Sequence, residues 1–390
     1  MLEDLKIIEL ATMIAAPTAA VFLADWGAQV IKIEPHRGDP MRGGPGSALG
    51  SINYDLANRN KRSIALDTST GDTREIILKL AKTADIFITN MLPDQLEKLD
   101  LTWETLHTLN PRMVYGAVSS FGRKGPHKNR GATDNLGFWA RGGGTGLLTV
   151  EGQDPLPIRQ SVGDRITGAV ACAGILAATL DARRTGKGCF VDTSLLAAGM
   201  FAFSTDIANQ MNKGRTATSK GRHGAVIALA NYFKTRDSRW VQIHTGVALL
   251  ATAVDRPELA NDPRFSGRRM SKDDIAALVD IVDEIIAGFA YADLAERLDR
   301  AGVRWEPVNT PASLAEDVQV LETGRLMQVD DGQWQVASPW TMIGDVGEVR
   351  QLIAPPPALG EHTVEILTEL GYGDADVSRM RANGTILPNV

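Results

Sequence analysis

Two cysteines in 390 residues, Cys172 and Cys189, are too few and too widely placed for a disulfide framework, a thiolate metal site or a redox pair. Both lie in apolar runs, so the sequence predicts two buried, reduced thiols. Histidine is equally sparse. The six histidines, His36, His107, His127, His223, His244 and His362, show no HxxxH or His/Cys pairing, and no metal centre is expected. Basic charge is not in surplus: a formal net charge of −6 argues against a nucleic-acid binder. No uncharged apolar run approaches the ~18 residues of a membrane span, and the early acids of MLEDLKIIELATM are unlike a signal peptide. A cytoplasmic protein without membrane or nucleic-acid partners is the expectation. A GxSxG elbow is missing, which leaves a serine hydrolase unsupported.

What is present is alternation of strand and helix. The run KIIEL (6–10), a helix opened near Pro17 and ending about Trp26, and the run QVIKI (29–33) form a βαβ unit, the seed of a parallel sheet. Further strands are predicted over 63–66, 85–89, 113–118 and 189–193, with helices over 73–83 and 102–109 between them. The pattern predicts an α/β fold: a Rossmann-like parallel-sheet large domain over 1–215. Beyond it the character changes. A hairpin over 231–244, turning at Arg236, Asp237 and Ser238, and two amphipathic helices over 272–288 and 292–301 predict a smaller α+β domain over 216–330. A C-terminal segment, 331–390, with a proline-rich hinge (354–357) and a helix over 363–370, is expected to return to the large domain.

The first βαβ invites a dinucleotide reading, with Glu34 placed to hold a ribose. The loop ATMIAA (11–16) contains no glycine, however, and a pyrophosphate needs glycines for close backbone approach. Asp164 stands in SVGDRITGAVACAGILAATLDA, where a periodic run begins. On helix grammar it reads first as a helix N-cap; a nucleophile kept ionised by the positive end of that helix is compatible with the same position. Small residues behind it (Gly168, Ala171, Ala173, Gly174, Ala178) predict close packing. Gly142, Gly143 and Gly144 predict a tightly turned or mobile loop, near a ligand or simply on the surface. Basic clusters at 36–42, 58–62 and 123–130 read as solvated charge, or as a bed for a polyphosphate.

Five blocks together resemble the family III coenzyme A transferases, the group with formyl-CoA transferase, carnitine CoA-transferase and 2-methylacyl-CoA racemase. They are IELATMIAAPTAAVFLADWGAQVIKIEP, NRNKRSIALD, SSFGRKGP, the GDRITGAVACAGILAATLDARRTGKG block with its FVDTSLL, and LGEHTVEILTELGY. The resemblance runs along nearly the whole chain. It implies that Asp164 attacks an acyl-CoA thioester and passes through a mixed anhydride, an aspartyl-CoA thioester and a second anhydride. It implies CoA contacts at Ile14, Ala15, Arg37, Leu66, Thr68, Asn90, Met91 and Lys98, with coenzyme A or acyl-CoA as substrate and no permanently bound cofactor. An interlocked homodimer follows from the same resemblance. The glycine run that covers the site in the family is here reduced to Arg222, His223, Gly224 and Ala225. Asp134 or Asn135 falls near a catalytic-site acid of some relatives. Ala132 and Thr133 stand where racemases carry the histidine of a two-base α-proton exchange, which favours transferase over racemase; a non-catalytic CoA-binding protein is the third alternative. Phe138–Trp139 and Leu147–Leu148 are candidates for an acyl pocket on residue size.

Overall fold

The structure is a computed structural model that describes residues 1–390 except 44–49, 160, 216–217, 266–269, 329–331, 346, 350, 352–353 and 390. The chain divides into two compact units: Met1–Gly144, Pro157–Asn212 and Thr323–Val390 form the larger, and Thr145–Leu156 with Lys213–Glu322 the smaller.

The larger unit is built on six strands, β1 (Lys6–Leu10), β2 (Gln29–Glu34), β3 (Arg62–Ala65), β4 (Ile86–Thr89), β5 (Val114–Ser119) and β6 (Phe190–Ser194), in the order β3-β2-β1-β4-β5-β6. Every pairing is parallel. Their Ile- and Val-rich runs are apolar on both faces because helices cover both. On one face lie α1 (Ala15–Ala24), α7 (Val162–Thr185) and α8 (Leu195–Ala202), around Ile7, Ala16, Ala20, Ile88, Ala171 and Ile175. On the other lie α3 (Gly71–Ala81), α4 (Pro93–Lys98), α5 (Trp103–Leu109) and the C-terminal helices Thr363–Glu369 and Asp374–Ala382, around Phe87, Tyr115, Ile76, Leu106 and Ile366. Between β2 and β3 runs α2 (Gly50–Asn58), and between β5 and α7 come a π-helical turn, Asn135–Arg141, and the short α6 (Gly144–Leu148).

The sequence places these strands to within a residue or so at each end, which is the ordinary scatter of element boundaries. Pro17 is the third residue of α1 rather than its opener. It is tolerated there because the first-turn N–H groups have no intrahelical acceptor. By length and composition α7 could span a membrane. In this fold it is the crossover from β5 to β6, with Thr167, Ala171, Cys172, Ile175 and Thr179 buried along one face. The expectation of two buried thiols holds only for Cys172; Cys189 is exposed, because it lies in the turn just before β6.

The smaller unit carries an antiparallel sheet, β7 (Ala230–Lys234), β8 (Trp240–His244) and β9 (Trp305–Pro307). The expected hairpin turn is present, with Ser238 left-handed at φ 65°. Against the sheet pack α10 (Val247–Ala253), α11 (Pro257–Asn261), α12 (Lys272–Ala287) and α13 (Tyr291–Arg300), through Phe233, Val241, Leu278, Val282 and Leu294.

Candidate active site

In an open parallel sheet, ligands sit beyond the carboxyl ends of the strands where the strand order reverses, here between β1 and β4. The two loops that leave that point are tied to each other. The Asn90 side chain accepts from the Thr12 amide at 3.1 Å and donates to the Thr12 carbonyl at 2.6 Å. One residue on, Met13 is left-handed at φ 70°, a conformation that a side chain resists and that surrounding bonds must impose. They do: Asp39 Oδ1 accepts from the Met13 amide at 3.1 Å, and Lys32 Nζ donates to the Ala11 carbonyl at 2.9 Å. A loop without glycine is thus held in a fixed shape by side chains from β2, from the segment after it, and from the end of β4.

Beneath the loop lies a fully buried charge network. Lys32 pairs with Glu9 at 2.9 Å and with Asp39 at 3.0 Å, while Lys61 pairs with Glu9 at 2.5 Å. Burial alone would neutralise these groups. Instead the Lys32 ammonium is held above its ordinary value by Glu9, Asp39 and Glu34, and Glu9 is held below its own by the two lysines. Lys61 is pulled down to about 8 by burial, with Lys32 adding to that and Glu9 opposing it. The basic cluster at 58–62 is therefore no bed for phosphate. Arg59 is buried on Asp25, Lys61 on Glu9, and Arg62 is taken by Glu365 and Glu369. Arg42, from the cluster at 36–42, is likewise spent on Glu34. Sequence reasoning missed this network, although a signal existed: Glu9 and Lys32 are charged residues in adjacent apolar strands and are register partners.

Asp164 lies at the same strand edge. Its helix α7 packs so closely on the first turn of α1 that a Cβ on Gly168 would come within 2.6 Å of Thr18 Cβ and 2.7 Å of the Ala15 carbonyl oxygen. This is why the small residues are there. Asp164 is not the cap of α7, contrary to its N-cap reading. Ser161 holds that position, left-handed at φ 82° and without a side-chain bond, and Asp164 is the third helical residue. The cap comes from outside: Asp134 Oδ2 accepts from the Gly163 amide at 2.9 Å. Among the described residues the Asp164 carboxylate, itself half-buried, has no hydrogen-bond partner. Burial first and the Asp134 carboxylate second push it up to about 7, with Arg165 opposing. The helix field expected to favour its ionised form is outweighed by these two effects.

Residues 2–363 match the family model described as CoA-transferase family III. The chain belongs to CoA-transferase family III. Among curated relatives, this family III chain is 28% identical over 394 residues to "(R)-2-hydroxy-4-methylpentanoate CoA-transferase" of Clostridioides difficile, covering 98% of each chain. It is 29% identical over 402 residues to "Succinyl-CoA:glutarate CoA-transferase" of Homo sapiens, covering 99% of this chain and 90% of that one. Among solved structures it is similar to a CAIB/BAIF family protein from Brucella suis, at TM-score 0.84 and 29% identity, covering 95% of this chain and 99% of that one.

Most family-implied CoA positions follow the carboxyl ends of consecutive strands in the family III chain. Ile14 and Ala15 follow β1 and are buried; Arg37 follows β2 and is exposed; Leu66 and Thr68 follow β3, the first buried and the second exposed; Asn90 and Met91 follow β4, half-buried. Lys98 is exposed in the last turn of α4. Asp134 is buried at 1% exposure. Gly142 and Gly144 are packing glycines rather than a ligand loop: a Cβ on the first would lie 2.1 Å from the Phe138 carbonyl oxygen, and on the second 2.4 Å from the Phe203 ring. Gly143, left-handed at φ 100°, alone faces open space. Phe138 is core, 1% exposed beneath Gly163, and not a pocket wall. Leu147, Leu148 and Gly224 belong to the smaller unit, where Gly224 lies in a short turn whose Arg222 and His223 are bound to Asp283 and Asp280 on α12.

Proposed function

We propose that this chain moves coenzyme A from an acyl-CoA to a free carboxylic acid through covalent intermediates on Asp164. The observation that carries the reading is the setting of that carboxylate: half-buried, without a hydrogen-bond partner among the described residues, and pushed up to about 7 by burial and by Asp134. A carboxylate raised to that value is a stronger nucleophile than an ordinary one and is still about half ionised at neutral pH. Its oxygen adds to the thioester carbonyl and CoA thiolate leaves, giving an aspartyl–acyl anhydride. The thiolate then attacks the aspartyl carbonyl and releases the donor acid as carboxylate. The acceptor carboxylate displaces the thiolate from the aspartyl thioester, and the thiolate attacks the acceptor's acyl carbon to free Asp164. Every bond broken is replaced by one of like kind, so no outside energy source or redox partner is required.

Ile14, Ala15, Arg37, Leu66, Thr68, Asn90, Met91 and Lys98 are proposed to hold the CoA, on loops the side-chain ties above pre-shape. A homodimer is proposed as well, supported by the large apolar side chains that one chain leaves exposed on α7, α8 and α9 (Ser204–Lys213): Leu180, Phe201 and Met211, at 71, 73 and 81%. We infer a cytoplasmic location, with the acyl-CoA pool.

The test is incubation with succinyl-CoA, trapping with hydroxylamine, and peptide mass spectrometry. Hydroxamate at Asp164, lost in Asp164→Ala together with CoA exchange into a panel of carboxylic acids, is the expected result. Exchange that survives in Asp164→Ala would refute the reading.

A further inference from the structure

Asp134 is the buried carboxylate in the larger unit whose position the capping geometry does not fully explain. It opens the π-helical turn Asn135–Arg141 and has no role in capping that turn. One oxygen, Oδ2, receives the Gly163 amide; burial pushes the carboxyl above its ordinary value, and the Gly163, Asp164 and Ser161 amides oppose that by favouring its ionised form. The other, Oδ1, is buried without a hydrogen-bond partner among the described residues. A neutral acceptor would cap α7 equally well, since serine, threonine and asparagine all serve at helix starts. A carboxylate there leaves an oxygen without a described partner at the start of the helix that carries Asp164, which is costly unless the charge has a use.

We propose that Asp134 is a positioning residue with two roles: it fastens the first turn of α7 from outside the helix, and it sets a second, buried carboxylate beside the one on Asp164. The inference rests on the reading of Asp164 as nucleophile and deepens it. Two carboxylates sharing a water-poor site do not ionise independently, so removing one charge lets the other ionise more readily. The charged groups that act on Asp164 are few. Asp134 raises it and Arg165 opposes, while Arg165 is itself turned to Asn53 on α2, at 3.2 Å, and is pulled down by burial and by Arg59. Asp134 is thus the charged neighbour able to hold the nucleophile high.

Asp134→Asn keeps an oxygen for the Gly163 amide and removes the charge; Asp134→Ser does the same with a shorter cap and serves if the first variant does not fold. The readout is carbodiimide labelling of Asp164, which requires the protonated acid, followed by peptide mass spectrometry across pH. The midpoint of labelling is expected near 7 in the parent protein and about one unit lower in either variant. Where transfer is measured, the acid limb of the kcat/KM profile is expected to move down by the same amount while the plateau falls severalfold. A purely structural Asp134 would change melting temperature or rate but leave the labelling midpoint in place, and that result overturns the proposal. A shifted midpoint in a protein that performs no CoA exchange would leave the inference standing and remove the transferase reading.

Discussion

Two kinds of carboxylate coexist within the larger unit, and their surroundings decide what each can do. Glu9 is fully buried between two ammonium groups and stays ionised because both donate to it. Asp164 is half-buried, has no donor among the described residues, and is pushed up to about 7 by burial and by the Asp134 carboxylate. For Glu9 the consequence is structural. Glu9→Ala would strand Lys32 and Lys61 in the core, and a loss of about 3–5 kcal/mol in a denaturant titration is expected. For Asp164 the sign is the opposite. A carboxyl whose folded value lies above its unfolded value near 3.8 gains a proton on folding, so its contribution is favourable below that value and is lost as pH rises to about 7. Asp164→Asn is therefore expected to raise the melting temperature at pH 8, by the equivalent of about 1–3 kcal/mol after allowance for partial exposure, and to leave it unchanged at pH 4. Scanning calorimetry at the two pH values checks this. The same variant is expected to lose CoA exchange on the order of 10³-fold or more.

The helix that carries Asp164 is placed by omission of side chains. A Cβ on Gly163 would lie 2.5–2.8 Å from the Phe138 ring. Gly163→Ala is thus expected to push the first turn of α7 off Phe138, costing about 1–3 kcal/mol and most of the activity, as measured by chemical denaturation and exchange assay. The loop clamp behaves differently, because it shapes the proposed CoA-binding surface. Asn90→Ala is expected to raise KM for acyl-CoA about tenfold with kcat little changed, by steady-state kinetics. At this scale the sequence was informative where the signal is local. Apolar runs such as KIIEL and QVIKI, and the alternation of strands with helices, marked the parallel sheet to within a residue or so. It was silent where partners are remote. Helix grammar gives the cap of α7 to the nearest acid, Asp164, yet the acid that caps it lies 29 residues earlier in the chain, before Gly163. In NRNKR the grammar sees solvated charge, while tertiary pairing with Asp25 and Glu9 takes Arg59 and Lys61 inside.

For the molecule as a whole, the proposed dimer predicts that multi-angle light scattering at micromolar concentration returns twice the 42.0 kDa chain mass. A single-chain mass would count against it, and would leave Leu180, Phe201 and Met211 exposed to water. The two cysteines offer a second measurement. Cys189 is open to reagents, while Cys172 is buried and its thiol pushed up to about 12 by that burial. Cys172 also sits on α7, about 12 Å beyond Asp164 at ~1.5 Å per residue. One thiol of the native protein should react promptly with a maleimide, and the second only when α7 lifts from its seat. The slow phase of alkylation thereby becomes a clock for how often the support beneath Asp164 comes undone.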